Sequence, residues 1–245
     1  MRKKNSIDVC LTPNLIDLFD VQNKVVVVID VFRATSAICT ALYSGVQEVI
    51  PVSTLDEAKT YLNKDNYLVA AERNGTIVPG FDLGNSPLDY LDKEKLKNYS
   101  LVITTTNGTT AIERSKNAKA LILASFLNIK SVVQFLVEHK QDVLIICSGW
   151  KGRVCIEDMV LAGMITNLLL KYSFFINQDS SSVVLNLYKL CKDDMYNFIM
   201  HSSYINRTNL HSNDVKEKLY HDIKYCLKIN IINIVPIFNK RSFFI

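Results

Sequence analysis

The run Val25-Val26-Val27-Val28-Ile29, closed by Asp30, constrains this chain more than any other segment. Five consecutive β-branched residues disfavour a helix and leave no polar face for water, so the run reads as a central strand covered on both sides. Such a strand needs a helical layer above and below it, which calls for a three-layer α/β/α fold. The flanking pattern agrees. Short apolar runs alternate with amphipathic segments through about residue 150, as in βα units that feed a largely parallel or mixed sheet. Strands are expected at about 24–30, 47–52, 67–71, 100–104, 119–124 and 142–147. Helices are expected at about 35–44, with Gly45 as C-terminal cap, and at about 55–64, 109–116, 127–140 and 157–172.

The texture changes after about residue 175, where Gln178 to Ser182 reads as a polar loop and a more helical C-terminal part follows. Ile231 to Ile237, with Pro236 near its end, reads as a last strand at a sheet edge, because proline has no N–H for a ladder. The expectation is one α/β domain over 1–245, or two unequal lobes: a catalytic core over 1–172, then a helical appendage plus final strand over 173–245.

Composition narrows the classes of partner. The +4 charge is spread thinly, and the one basic run, Arg2-Lys3-Lys4, is too short for a nucleic-acid stripe. The apolar stretch Met159 to Leu170 contains Thr166 and Asn167 and falls short of the ~20 residues a membrane span needs. Six cysteines show no CxxC pair and no metal spacing with the four histidines. The charged start leads to no apolar leader, so reduced thiols in the cytoplasm are the simplest reading. A homo-oligomer remains open.

Five segments hold residues that a core does not need. In Ile29-Asp30-Val31-Phe32-Arg33-Ala34-Thr35-Ser36, an acid ends a buried strand and an arginine and two hydroxyls open a helix. The carboxylate can hold a hard cation such as Mg²⁺, and Arg33 with the helix N-terminus can hold an anion. The structural alternative is an N-cap by Thr35 or Ser36 with Asp30 paired to Arg33. Ala71-Glu72-Arg73-Asn74-Gly75 sets an acid, a guanidinium and an amide after a strand, or is merely a tight turn. Pro79-Gly80-Phe81-Asp82-Leu83-Gly84-Asn85-Ser86-Pro87 reads as a rigid loop that presents Asp82 and Asn85, or as a connection. Ile103-Thr104-Thr105-Thr106-Asn107-Gly108-Thr109-Thr110 suits an oxyanion, with hydroxyls and a glycine turn at a helix start. It lacks the lysine of a nucleotide-binding loop. Cys147-Ser148-Gly149-Trp150-Lys151-Gly152-Arg153 follows another strand and leads to Glu157-Asp158, whose acids also suit a helix start on dipole grounds alone.

These segments gain meaning together, because loops leaving the carboxyl ends of parallel strands gather where ligands bind. They nominate Asp30, Glu72, Asp82 and Glu157 as catalytic acids, with Asp30, Glu72 and Asp82 also able to hold Mg²⁺. Arg33, Thr35, Ser36, Arg73, Asn74, Asn85, Thr106, Asn107, Gly108 and Arg153 are the candidate substrate contacts. Carboxylates around a cation, ringed by arginines and anion-cradling amides, suit phosphoryl transfer.

The motifs V-V-I-D-V-F-R-A-T-S, A-E-R-N-G, G-F-D-L-G-N-S-P, T-T-T-N-G-T and the I-E-D after C-S-G-W-K-G-R resemble, in order and spacing, the 2-phosphosulfolactate phosphatase family. His221-Asp222-Ile223, Cys226 and Val235-Pro236 look similar to that family's C-terminal stretch. The resemblance implies an α/β, Mg²⁺-dependent enzyme that hydrolyses 2-phospho-3-sulfolactate to 3-sulfolactate and phosphate, a step toward coenzyme M. Such a substrate carries roughly −3.5 to −4 charges at neutral pH, so several cationic groups are required. The alternative is a non-catalytic phosphate- or sulfonate-binding protein derived from such an enzyme.

Overall fold

The computed structural model describes residues 4–73 and 75–245. Its strands are β1 (Asn5–Cys10), β2 (Val25–Ile29), β3 (Glu48–Pro51), β4 (Tyr67–Arg73), β5 (Thr76–Ile77) and β6 (Ser100–Thr104). There follow β7 (Ala120–Ala124), β8 (Val143–Cys147), β9 (Phe174–Ile176), β10 (Ile237–Asn239) and β11 (Ser242–Phe244). The helices of the first part are α1 (Ala34–Tyr43), α2 (Leu55–Lys59), α3 (Lys93–Leu96), α4 (Gly108–Glu113), α5 (Ile129–His139) and α6 (Ile156–Leu169). The C-terminal part adds α7 (Asp179–Cys191), α8 (Met195–Met200), α9 (Ser203–Thr208) and α10 (Asn213–Cys226).

The strands form one mixed, mostly parallel sheet in the order β5-β4-β6-β3-β11-β10-β7-β2-β8-β1-β9. The β2 run behaves as its composition requires. Val25, Val27 and Ile29 pack with Val132 and Leu136 of α5 and Val160, Leu161 and Ile165 of α6. Val26 and Val28 pack with Ala37 and Ile38 of α1 and Ala111 and Ile112 of α4. Burying a Val or Ile contributes roughly 1.5–3 kcal/mol relative to leaving it exposed, so a charge at Val27 would undo both the strand and the layers on it.

Three expectations are corrected. Asn5–Cys10 is a fully buried strand between β8 and β9, although the chain start reads as charged. Its Asp8 is accommodated by an ion pair with Lys24 and a 3.0 Å bond from Asn177 Nδ2. Gln178 to Ser182 is no loop, because α7 starts at Asp179, and the Ser180 and Ser181 hydroxyls donate to the β1 carbonyls of Val9 and Ile7. The final strand is neither at 231–237 nor at an edge. Residues 231–236 carry no ladder, and β10 and β11 form a hairpin inserted between β7 and β3. Pro236 lies just outside the ladder, where its missing N–H is harmless and its carbonyl accepts from Leu123 N at 3.1 Å. The hairpin introduces three antiparallel steps, which separate the β9-β1-β8-β2-β7 block from the β3-β6-β4 block.

Candidate active site

The loops after β2, β4, β6 and β8 meet at one cavity of about 350 Å³, within the usual size range of a small-ligand pocket. Asp30, Glu72, Glu157 and Asp158 supply its acids, and residues from α9 to α10 cover it. Among the described residues, no three His, Cys, Asp or Glu side chains close a cage around a cation by themselves.

Asp30 sits at the end of β2, and its Oδ1 accepts from Ala34 N at 3.3 Å. Burial pushes its pKa up. The Ala34 amide works against this, the negative charge of Glu72 and Glu157 raises it further, and Arg33 lowers it, leaving the carboxyl at about 7. Thr35 and Ser36 are not among the residues lining the cavity, and their hydroxyls donate to the carbonyls of Asp30 and Val31, both at 2.9 Å, closing the strand-to-helix turn. Arg33 lines the cavity but does not pair with Asp30. It is ion-paired to Asp222 of α10 and donates through Nη2 to Gly75 O at 2.8 Å. Ser86 Oγ also donates to Asp222, at 2.5 Å.

Glu72 is buried at the end of β4, where one of its oxygens accepts from Gly75 N. That turn requires Gly75, whose φ is +85°. Asp158 Oδ1 accepts from Val31 N at 2.9 Å and Oδ2 from Gly149 N at 3.0 Å, so one carboxylate ties the β2 and β8 loops to the start of α6. Its pKa is driven well up by burial first, then by the charges of Asp30 and Glu157. Burial likewise raises Glu157, whose Oε2 is buried with no hydrogen-bond partner. Asn85 reaches the cavity from the rigid loop, and its buried Oδ1 also lacks a partner.

Thr106 and Asn107 line the cavity, and Asn107 Oδ1 accepts from Lys151 N at 2.9 Å. Gly108 starts α4 against the acid: a Cβ there would lie 2.8 Å from Asp30 Oδ2 and 2.7 Å from Ala34 Cβ. Of the other nominated residues, Asp82 is exposed and outside the cavity, its Oδ2 accepting from Val69 N at 2.8 Å. The Arg73 guanidinium turns onto the ends of β4 and β6, donating to Glu72 O at 2.6 Å and Thr104 Oγ1 at 3.3 Å. Arg153 is exposed and absent from the lining, and its backbone bonds to Trp150. Asn74 lies outside the described residues. Cys147 is fully buried, and burial holds its thiol well above the ordinary range, which makes it a poor nucleophile.

The sequence reading missed the cover of the cavity. Tyr204, Arg207 and His211 line it, and the Arg207 guanidinium carbon sits 4.1 Å from the centroid of the Trp150 ring. Tyr204 packs against Phe32 at 4.8 Å between centroids. The available signal was an aromatic and a cation three residues apart, which places both on one helix face.

A cavity with acids on its floor and two arginines in its lining, at the strand ends of an α/β fold, is placed where such folds bind small ligands and act on them. Residues 10–241 match the family model described as 2-phosphosulpholactate phosphatase. The chain is 38% identical over 229 residues to a probable 2-phosphosulfolactate phosphatase of Caldanaerobacter subterraneus, covering 92% of each chain. It is 38% identical over 234 residues to a protein of that name from Clostridium beijerinckii, covering 94% of this chain and 95% of the other. To one from Thermotoga petrophila it is 36% identical over 230 residues, covering 94% of each. The chain belongs to the 2-phosphosulfolactate phosphatase family, whose named activity is that of a phosphoric monoester hydrolase.

Proposed function

We propose that this protein hydrolyses 2-phosphosulfolactate, or a closely related small 2-phospho acid, to the 2-hydroxy acid and phosphate, with Mg²⁺ as its metal. The supporting observation is the convergence of four carboxylates and two arginines on one cavity in a chain of this family. Mg²⁺ is commonly held by one or two carboxylates, with waters and substrate phosphate completing its shell. The residues fit that demand. Buried acids repel one another here, and Glu157 Oε2 and Asn85 Oδ1 are hard oxygen acceptors without donors. Asp30 and Glu157 would hold the ion, with Glu72 beside them. When bound, Mg²⁺ offsets charge on the phosphoryl oxygens.

The chain's own groups account for the remainder. Arg33, fixed by Asp222, keeps guanidinium donors directed at the transferred group. Asp158 ties the β2 and β8 loops to the start of α6, beside the cavity that Asp30 and Glu157 both line. Carboxylates on the floor provide the base that takes a proton from attacking water, or the oxygen that first attacks phosphorus. The test is phosphate release from 2-phosphosulfolactate, 2-phospholactate, 2-phosphoglycerate and phosphoglycolate, each with Mg²⁺ and with EDTA. Turnover with Mg²⁺ that EDTA abolishes is expected; no metal-dependent release from any of them would sink the reading.

A further inference from the structure

We propose that Arg207, backed by Trp150, binds the anion of the substrate that is not transferred, the sulfonate of 2-phosphosulfolactate, and so determines which 2-phospho acid the site accepts. The assignment rests on the activity proposed above and concerns a residue outside all five motifs that resemble the family.

Charge placement carries the argument. A substrate with three anionic groups needs more than one cation, yet Arg73 and Arg153 stand outside the cavity. Arg33 and Arg207 are the arginines among its described lining residues. Arg33 is partly neutralised by its buried pair with Asp222. Arg207 has no carboxylate within 4 Å among the described residues, and its hydrogen bond is to a neutral group, Ser203 Oγ at 3.0 Å. Its charge is therefore available to a ligand.

The two arginines also reach the cavity from different places. Arg33 lies between β2 and α1 and is held by Asp222 and Gly75 O, whereas Arg207 lies on α9 against the Trp150 ring. A phosphate seated at Asp30 and Arg33 leaves the other end of a three-carbon acid toward Trp150 and Arg207. Stacking on an indole fixes the guanidinium by its face and leaves its edge donors for oxyanion oxygens. A sulfonate is ionised at every working pH, and arginine is a cation that stays charged throughout. Tyr204 narrows the same end, at 5.7 Å from the Arg207 guanidinium carbon.

The discriminating pair is 2-phosphosulfolactate and 2-phospholactate, which differ by a sulfonate in place of a methyl hydrogen. In Arg207→Met, kcat/KM for 2-phosphosulfolactate should fall about 10- to 150-fold, mostly through KM, as expected for loss of a charge-assisted hydrogen bond. For 2-phospholactate the fall should be clearly smaller, so that the ratio of the two kcat/KM values shifts by about fivefold or more toward 2-phospholactate. Arg207→Lys, which keeps the charge and loses the fork, should fall between wild type and Arg207→Met, and it reads the same selectivity should the methionine variant not fold. Equal losses on both substrates, or no loss on either, would overturn the assignment.

A binding arm separates this assignment from the activity. 3-Sulfolactate should protect wild type against thermal unfolding more than lactate does, and the difference should vanish in Arg207→Met. If wild type hydrolyses neither substrate but this pattern holds, the sulfonate site stands and the phosphatase reading falls. If both acids protect both proteins alike, the sulfonate site falls.

Discussion

The floor of the cavity comes from strand ends in the first part of the chain, and its cover from α9, α10 and the segment between them. The floor is acidic and held by backbone. Asp30 accepts from Ala34 N, Glu72 from Gly75 N, and Asp158 from Val31 N and Gly149 N. The cover brings Arg207 and is held by side chains, Asp222 of α10 accepting from Arg33 and Ser86 and Arg207 lying on Trp150. Anchoring acids through amides fixes where charge repulsion builds. Of the two arginines in the cavity, Arg207 alone comes from a segment separate from the loops that carry the acids.

The deepest break in the floor is Asp30→Asn, which keeps shape and removes the charge. It is expected to lower turnover by about 10³-fold or more, because a charge aimed at the reacting group supplies roughly 3–5 kcal/mol. Circular dichroism should show an intact fold. An active Asp30→Asn protein would show that the floor does not need this acid.

Breaking the cover at its root tests the other half. Asp222→Ala leaves Arg33 buried without its partner, which destabilises by about 3–5 kcal/mol. A urea midpoint unchanged from wild type would mean that α10 is not fastened through this pair. Asp222→Asn keeps one acceptor oxygen for Arg33 and turns an NH2 donor toward the Ser86 hydroxyl, so it should recover part of the loss.

The same contrast explains what could be read from the sequence. The β2 strand and the acid at its end were legible, since five β-branched residues permit little else and Asp30 has no place in an apolar core. Glu72 at the end of β4, Asn107 in the loop after β6 and Glu157 at the start of α6 were legible as polar residues at element ends. Asp82 sits in an equally suggestive loop, but its carboxylate is taken up by Val69 N, a contact set by the fold of β4. Arg207 and Asp222 were not legible as partners, because long-range packing alone brings α9 and α10 over the strand ends. The β10 and β11 hairpin was missed for a related reason. Its turn at Lys240, with φ +56°, and its short flanks say little until β7 and β3 leave a gap to fill.

Between the large effects and the small lies a pH response of the floor alone. A carboxyl held at about 7, against 3.8 in the unfolded chain, keeps its proton more tightly when folded. Its contribution to stability is therefore complete below about pH 4 and is lost as pH rises through about 7, a loss on the order of 2–4 kcal/mol. Without divalent metal, the melting temperature should fall between pH 5 and about 7.5, and Asp30→Asn should flatten that fall and melt several degrees higher at pH 7.5. A wild-type protein whose stability rises over this interval would contradict a buried, mutually repelling floor.

The smallest effect sharpens the boundary of the site. Asp82 is exposed, and its one bond is to the amide of Val69 on β4. Asp82→Asn can keep an acceptor there and should change kcat/KM by less than about twofold, while Asp82→Ala gives up the bond at a cost of about 1 kcal/mol in stability. The pair separates two roles for the acid. If Asp82 holds metal, both variants lose activity together and added Mg²⁺ partly restores it. If it fastens β4, the asparagine is nearly silent, the alanine only melts earlier, and Mg²⁺ concentration makes no difference. The second outcome is the one expected, since the Asp82 carboxylate stands outside the cavity and is already engaged by the Val69 amide.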